Sequence, residues 1–129
     1  MDAPKVRAVF LMVEDQDRAL EFYTEKLGME KKQDAEMWPG ARWLEVGAPD
    51  AETFIALTAA RDFGAQPGPT GGGFTMAVPN VRELYEELKA KGVDVEEPKE
   101  ERWSTYIRFT DPDGHQIMVS ERTEGSKGR

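Results

Sequence analysis

The chain has 129 residues, 17 Lys and Arg against 25 Asp and Glu, a formal charge of −8, one His and no Cys. One domain of this length buries about two-thirds of its unfolded surface, so a core without staples is possible. Missing Cys excludes disulfides, thiolate catalysis and zinc–thiolate sites, and the acidic balance argues against nucleic acid as a partner.

No apolar run approaches the ~20 residues that span a bilayer, so no membrane partner is expected. Met1 to Arg7 carry charge and Pro4 rather than an apolar signal core, which predicts a cytoplasmic protein. An acidic surface is compatible with a cationic ligand but mostly serves solubility.

Val6 to Val13 reads as a largely buried strand. Asp15 or Glu14 can cap a helix whose apolar residues Ala19, Leu20, Phe22, Tyr23 and Leu27 recur at helical spacing before Gly28 ends it. Met29 to Glu36 predicts a polar strand suited to a sheet edge, broken by Trp38-Pro39-Gly40. Arg42 to Val46 and Thr53 to Thr58 predict two strands joined at Ala48-Pro49-Asp50.

Ala59 to Gly72 is rich in Ala, Gly and Pro and reads as a linker. The same order then begins again. Gly73 to Val78 predicts a strand, Asn80 caps a helix carrying Val81, Leu84, Tyr85 and Leu88, and Val93 to Val95 predicts a short strand. Trp103 to Thr110 and His115 to Glu121 follow, joined by the turn Asp111-Pro112-Asp113-Gly114. Thr123 to Arg129 predicts a frayed tail.

The halves match at offsets near 63: Tyr23 with Tyr85, Ile55 with Ile117, Val13 with Val78. Such duplication outweighs local propensity. The expected fold class is α+β, two βαβββ modules in a single 1–129 domain. Module one covers about 5–60, the linker about 61–72 and module two about 73–122.

Val13-Glu14-Asp15-Gln16-Asp17-Arg18-Ala19-Leu20-Glu21-Phe22-Tyr23 with Lys26-Leu27-Gly28-Met29 resembles the first strand and helix of a vicinal-oxygen-chelate module. Tyr85-Glu86-Glu87-Leu88 with Lys91-Gly92-Val93 resembles the second helix, and Phe109-Thr110-Asp111-Pro112-Asp113-Gly114 the turn before the last strand. The resemblance is to the superfamily of glyoxalase I, extradiol dioxygenases and bleomycin-resistance proteins. It implies a cupped mixed sheet with helices outside, a ligand site in the cup, and paired chains. Metal-using members place a His or Glu on each of four strands. The matching positions here are Ala8, Ala56, Gly73 and Met118, none of which offers a donor for a hard or borderline cation. No metal and no other cofactor is expected.

Side chains alternate across a strand, so one inward position fixes its neighbours. If Ala8 faces the cup, so do Phe10 and Met12. Ala56 brings Phe54 and Thr58, Gly73 brings Thr75 and Ala77, and Met118 brings Gln116 and Ser120. Ile107 and Phe109 suit the helix-packed side, which turns Tyr106 and Arg108 inward. Leu44 and Val46 likewise leave Trp43 and Glu45 inward. The predicted ligand-binding set is Phe10, Met12, Trp43, Glu45, Phe54, Thr75, Trp103, Tyr106, Arg108 and Met118, a mostly aromatic lining with few polar groups. Arg108 could hold a carboxylate and Glu45 a cation, or the two could pair with each other.

Other residues read more simply. His115 reads as a solvent-facing turn residue, and Glu96 to Glu101 as a solvated loop. Trp38 and Trp103 sit near loop ends, as stacking platforms or dimer anchors. Gly71-Gly72-Gly73 lacks the following Lys-Ser or Lys-Thr of a phosphate loop.

The expected function is metal-independent binding of a hydrophobic or aromatic small molecule by a cytoplasmic homodimer, as in bleomycin-resistance proteins. The alternative is a metal-free enzyme, a lyase or isomerase, using Glu45, Tyr106 or Arg108. A glyoxalase-type metalloenzyme comes last.

Overall fold

The computed structural model describes residues 2–122; the expected frayed tail, 123–129, lies outside them. The fold is α+β, with two sheets in two compact units that divide between Gly71 and Gly72.

The first unit runs β1 (Ala8–Val13), α1 (Gln16–Glu21), β2 (Glu30–Trp38), β3 (Ala41–Gly47) and β4 (Phe54–Ala59). Its sheet has the order β1-β4-β3-β2, with β1 parallel to β4 and the rest antiparallel. Asp15 caps α1, accepting from the backbone N–H of Asp17 and Arg18 at 3.0 and 3.1 Å. The helix runs on without a break to Lys26 before Gly28, at φ 74°, but its last part, Phe22–Lys26, is π-helical. A π turn sets Phe22 and Tyr23 adjacent on the buried face, with rings 5.1 Å apart. The polar strand is the edge strand β2 and runs on to Trp38, and a tight turn at Pro39-Gly40 follows.

Leu11, Val13, Leu44, Val46, Ile55 and Leu57 fill one face of this sheet beneath Ala19, Phe22 and Tyr23. Gln16 ties helix to sheet from within, donating to the carbonyls of Leu57 at 2.8 Å and Arg42 at 3.0 Å. A buried Leu here cut to Ala would cost about 2–5 kcal/mol.

The second unit runs β5 (Thr75–Val78), α2 (Val81–Ala90), β6 (Asp94–Val95), β7 (Lys99–Glu100), β8 (Thr105–Thr110) and β9 (Gln116–Glu121). Its sheet has the order β5-β9-β8-β6, with β7 also on β8. Asn80 caps α2 through the N–H of Glu83 at 3.0 Å. Val81, Leu88, Ile107, Phe109, Ile117 and Val119 form the core.

Three expectations are corrected here. Glu96 to Glu101 is not all loop, since Lys99 and Glu100 pair with Tyr106 and Thr105. β5 starts at Thr75 rather than Gly73, because three successive glycines give a strand nothing to pack. His115 is buried, 6% exposed, with its Nδ1 2.8 Å from the Asp111 carboxylate. The turn folds the imidazole back onto the acid that opens it.

The register carries the duplication. Met12 pairs with Thr58 and Ala77 with Ser120; Phe10 pairs with Ala56 and Thr75 with Met118. Each strand-one residue is 65 positions from its counterpart, and each partner 62. On the middle strand the offset is 63, matching Trp43 to Tyr106 and Glu45 to Arg108.

Candidate functional site

Each sheet has a second face, away from its helix. In the first unit Phe10, Ala56, Glu45 and Gln33 form one row across the four strands. Phe54 and Met12 flank it along the strands. The Phe10 and Trp43 rings meet edge to face, with centroids 5.4 Å apart. Phe10 remains 49% exposed, a large apolar group open to solvent. The Lys32 ammonium lies 6.0 Å from the Phe54 ring centroid. Thr58, beside Met12, turns its hydroxyl onto the Leu11 carbonyl at 3.0 Å.

The polar centre of this face is a buried carboxylate. Glu45 is 0% exposed, an arrangement that needs a charge partner and hydrogen bonds. Arg7 supplies both. Its Nη1 donates to Glu45 Oε2 at 2.7 Å and its Nη2 to Oε1 at 3.1 Å. The Trp43 indole N–H donates to Oε2 at 2.9 Å, which fixes the ring. Arg7 also donates to Gln33 Oε1 at 3.0 Å. Arg7 precedes β1, yet its guanidinium reaches residues of β3 and β2, so the side chain lies across β4. Its backbone is anchored there by the bond from the Phe54 N–H to the Arg7 carbonyl at 2.9 Å.

In the second unit Thr75, Met118 and Arg108 form the corresponding row, and Tyr106 pairs with Ser120. The Trp103 ring stacks on Tyr106, centroids 5.2 Å apart and planes 13° from parallel. Trp103 is 63% exposed, so its outer face is open. Arg108 donates to Glu96 at 3.5 Å, a long contact between half-exposed groups.

Phe10, Met12, Trp43, Glu45 and Phe54 thus lie on one sheet face, and Thr75, Tyr106, Arg108 and Met118 on the other sheet, with Trp103 stacked beside them. The pairing of Glu45 with Arg108 is corrected: Glu45 is held by Arg7 and Trp43, and Arg108 contacts Glu96. Sequence reading missed Arg7, Gln33 and Glu96. The 63-residue offset joining Gln33 to Glu96 could have found two of them.

A divalent metal does not fit these residues. Ala8, Ala56, Gly73 and Met118 bring no hard donor, and among the described residues no three His, Cys, Asp or Glu converge.

An open groove of about 570 Å³ lies elsewhere in the first unit, lined by residues including Glu14, Asp17, Arg18, Arg42 and Arg61. Its charges are already engaged. Arg42 donates to Asp17 at 2.8 Å and to both Asp34 oxygens at 2.8 and 2.9 Å. Those bonds hold the Asp34 carboxyl at about 2, against a smaller opposing effect of burial, and raise Arg42 above the usual guanidinium value. The aromatic sheet faces, by contrast, keep exposed rings at Phe10 and Trp103.

The chain belongs to the glyoxalase/bleomycin resistance protein/dioxygenase superfamily, whose sequence profile matches residues 5–119. It is 32% identical over 119 residues to the uncharacterized protein YetH of Bacillus subtilis, covering 91% of this chain and 98% of that one. A superfamily member from Sphaerobacter thermophilus superposes with a TM-score of 0.85 at 31% identity, covering 93% of this chain and 98% of that one. TnmS3, an antibiotic binding protein from Streptomyces sp. CB03234, superposes with a TM-score of 0.84 at 29% identity, covering 95% and 99%. No helix among the described residues is long and apolar enough to cross a membrane.

Proposed function

We propose that this protein binds an aromatic small molecule without a metal, sequestering it rather than transforming it. The observation that carries the reading is the exposed Phe10 edge-on to Trp43, above a polar centre already satisfied within the protein. Such a face offers apolar area and stacking. The donor-poor positions Ala8, Ala56, Gly73 and Met118 support metal independence. The likeness to an antibiotic binding protein supports the ligand class. Against an enzymatic role for Glu45 stands its geometry: both oxygens are engaged by Arg7 and Trp43, which leaves a poor general base.

On this reading the residues that contact a ligand are Phe10, Met12, Trp43 and Phe54 on the face of the first sheet, and Thr75, Trp103, Tyr106, Arg108 and Met118 on that of the second, each face taken by itself. Glu45 orients its neighbours. The working form is a cytoplasmic homodimer, which light scattering at micromolar concentration tests by mass. Titration of chelator-dialysed protein with planar aromatic antibiotics, followed by Trp fluorescence, tests the function. Saturable quenching with the compound recovered unchanged is expected. Binding that returns only with added metal, or a compound recovered altered, would overturn the reading.

A further inference from the structure

The accessible charge on the first sheet face is not the one the strand pattern suggests. Glu45 is 0% exposed and cannot meet a ligand, whereas the Arg7 side chain is 59% exposed. The guanidinium is held from one side by Glu45 and Gln33, and among the described residues nothing accepts from its remaining N–H groups. A donor fixed in this way loses little freedom on binding an acceptor. It sits over the sheet that carries Phe10 and Phe54, so an aromatic body and an anionic oxygen can be met together.

The second unit repeats the device with the charges exchanged. Arg108 stands where Glu45 stands, and Glu96 where Gln33 stands, each 63 positions on. There too a guanidinium contacts a carboxylate at the same point of the sheet.

We propose that Arg7, oriented by the buried Glu45, is the ligand-facing polar group of the first sheet and selects aromatic ligands that carry a carboxylate or similar anionic oxygen. This rests on the aromatic-ligand reading above and adds the charge of the ligand. It reverses the cation preference that Glu45 alone suggests. Glu45 is a positioning residue, because it acts through Arg7.

Calorimetric titration with 2-naphthoate and its neutral match 2-naphthamide separates the two ideas. The wild type should prefer naphthoate by about tenfold, the usual advantage of a charge-assisted hydrogen bond. The double variant Arg7→Met with Glu45→Gln leaves no orphaned charge. It should lose the preference, so that naphthoate and naphthamide bind it with affinities within about twofold of each other. If that variant melts below the assay temperature, Arg7→Lys keeps the charge but not the fork and should cut the preference by at least about threefold. Equal affinity of the wild type for both probes, or a preference that survives the substitutions, overturns the anion selection alone. Failure of both probes to bind the wild type overturns the aromatic reading and this proposal with it.

Discussion

The Nδ1 of His115 lies 2.9 and 2.8 Å from the two carboxylate oxygens of Asp111, and both side chains are buried. The same carboxylate accepts the backbone N–H of Asp113 at 3.0 Å and of His115 at 2.9 Å. One acid thus fixes the whole turn between β8 and β9. Asp111→Ala should cost about 2–4 kcal/mol, as buried donors lose their acceptor. Asp111→Asn, which keeps a carbonyl oxygen for the backbone, should cost less. Urea melts of the two variants check the order, and equal losses would show that the turn is held by other contacts.

The Arg7–Glu45 pair should show strong coupling in stability. Arg7→Met leaves a buried carboxylate without its main partner and should cost about 2 kcal/mol, less than a fully buried pair because Arg7 is half-exposed. Adding Glu45→Gln should recover most of that loss. Thermal melts of the two single variants and the double variant give the coupling, and additive losses would mean that Arg7 does not stabilise Glu45.

Acid should weaken the protein partly through Asp34. Its folded value of about 2 lies below the ordinary carboxyl value, so its contribution is present above about pH 4 and is lost as pH falls toward 2. Asp34 is partly exposed, so that contribution is discounted to about 1 kcal/mol. Asp34→Asn should be less stable than wild type by that amount at pH 6, with the difference shrinking through about pH 3 and closing below about pH 2. A difference that stays constant across this range would assign it to packing instead.

Gly47→Ala probes the candidate face without touching a charge. A Cβ there would come 2.9 Å from Phe54 Cδ1, too close for the ring to stay. The variant should lose about 1–3 kcal/mol through this overpacking and shift the Phe54 ring resonances. Unchanged ring resonances would show that the backbone, not the ring, absorbs the contact.

The fold was legible because two signals agreed. Alternation placed Leu44, Val46, Ile107 and Phe109 on the core side, and the 62- to 65-residue offsets tied the two units to one plan. The failures share a cause in tertiary context. His115 follows a turn sequence that usually points outward, and its bond to Asp111 four residues earlier helps to hold it inside. Arg7 lies 38 residues from Glu45 and just before its strand, where alternation says nothing about a side chain that crosses the sheet. Lys99 and Glu100 lie in an acidic run, and only their pairing with β8 makes them a strand.

Among the described residues, the nine-residue strand β2 has no partner strand on one side of its backbone. A flat edge of that length invites the same strand of another copy to add on. Its sequence Glu-Lys-Lys-Gln-Asp-Ala-Glu-Met-Trp places charges along most of that edge, and the register slips twice, between Lys31 and Gln33 and between Glu36 and Trp38. A newcomer would have to match two irregularities and bring like charges into line, so stacking into fibrils is disfavoured at the outset. The exposed rings of Phe10 and Trp103 are thus carried by a protein whose longest strand resists edge-to-edge addition of a second copy.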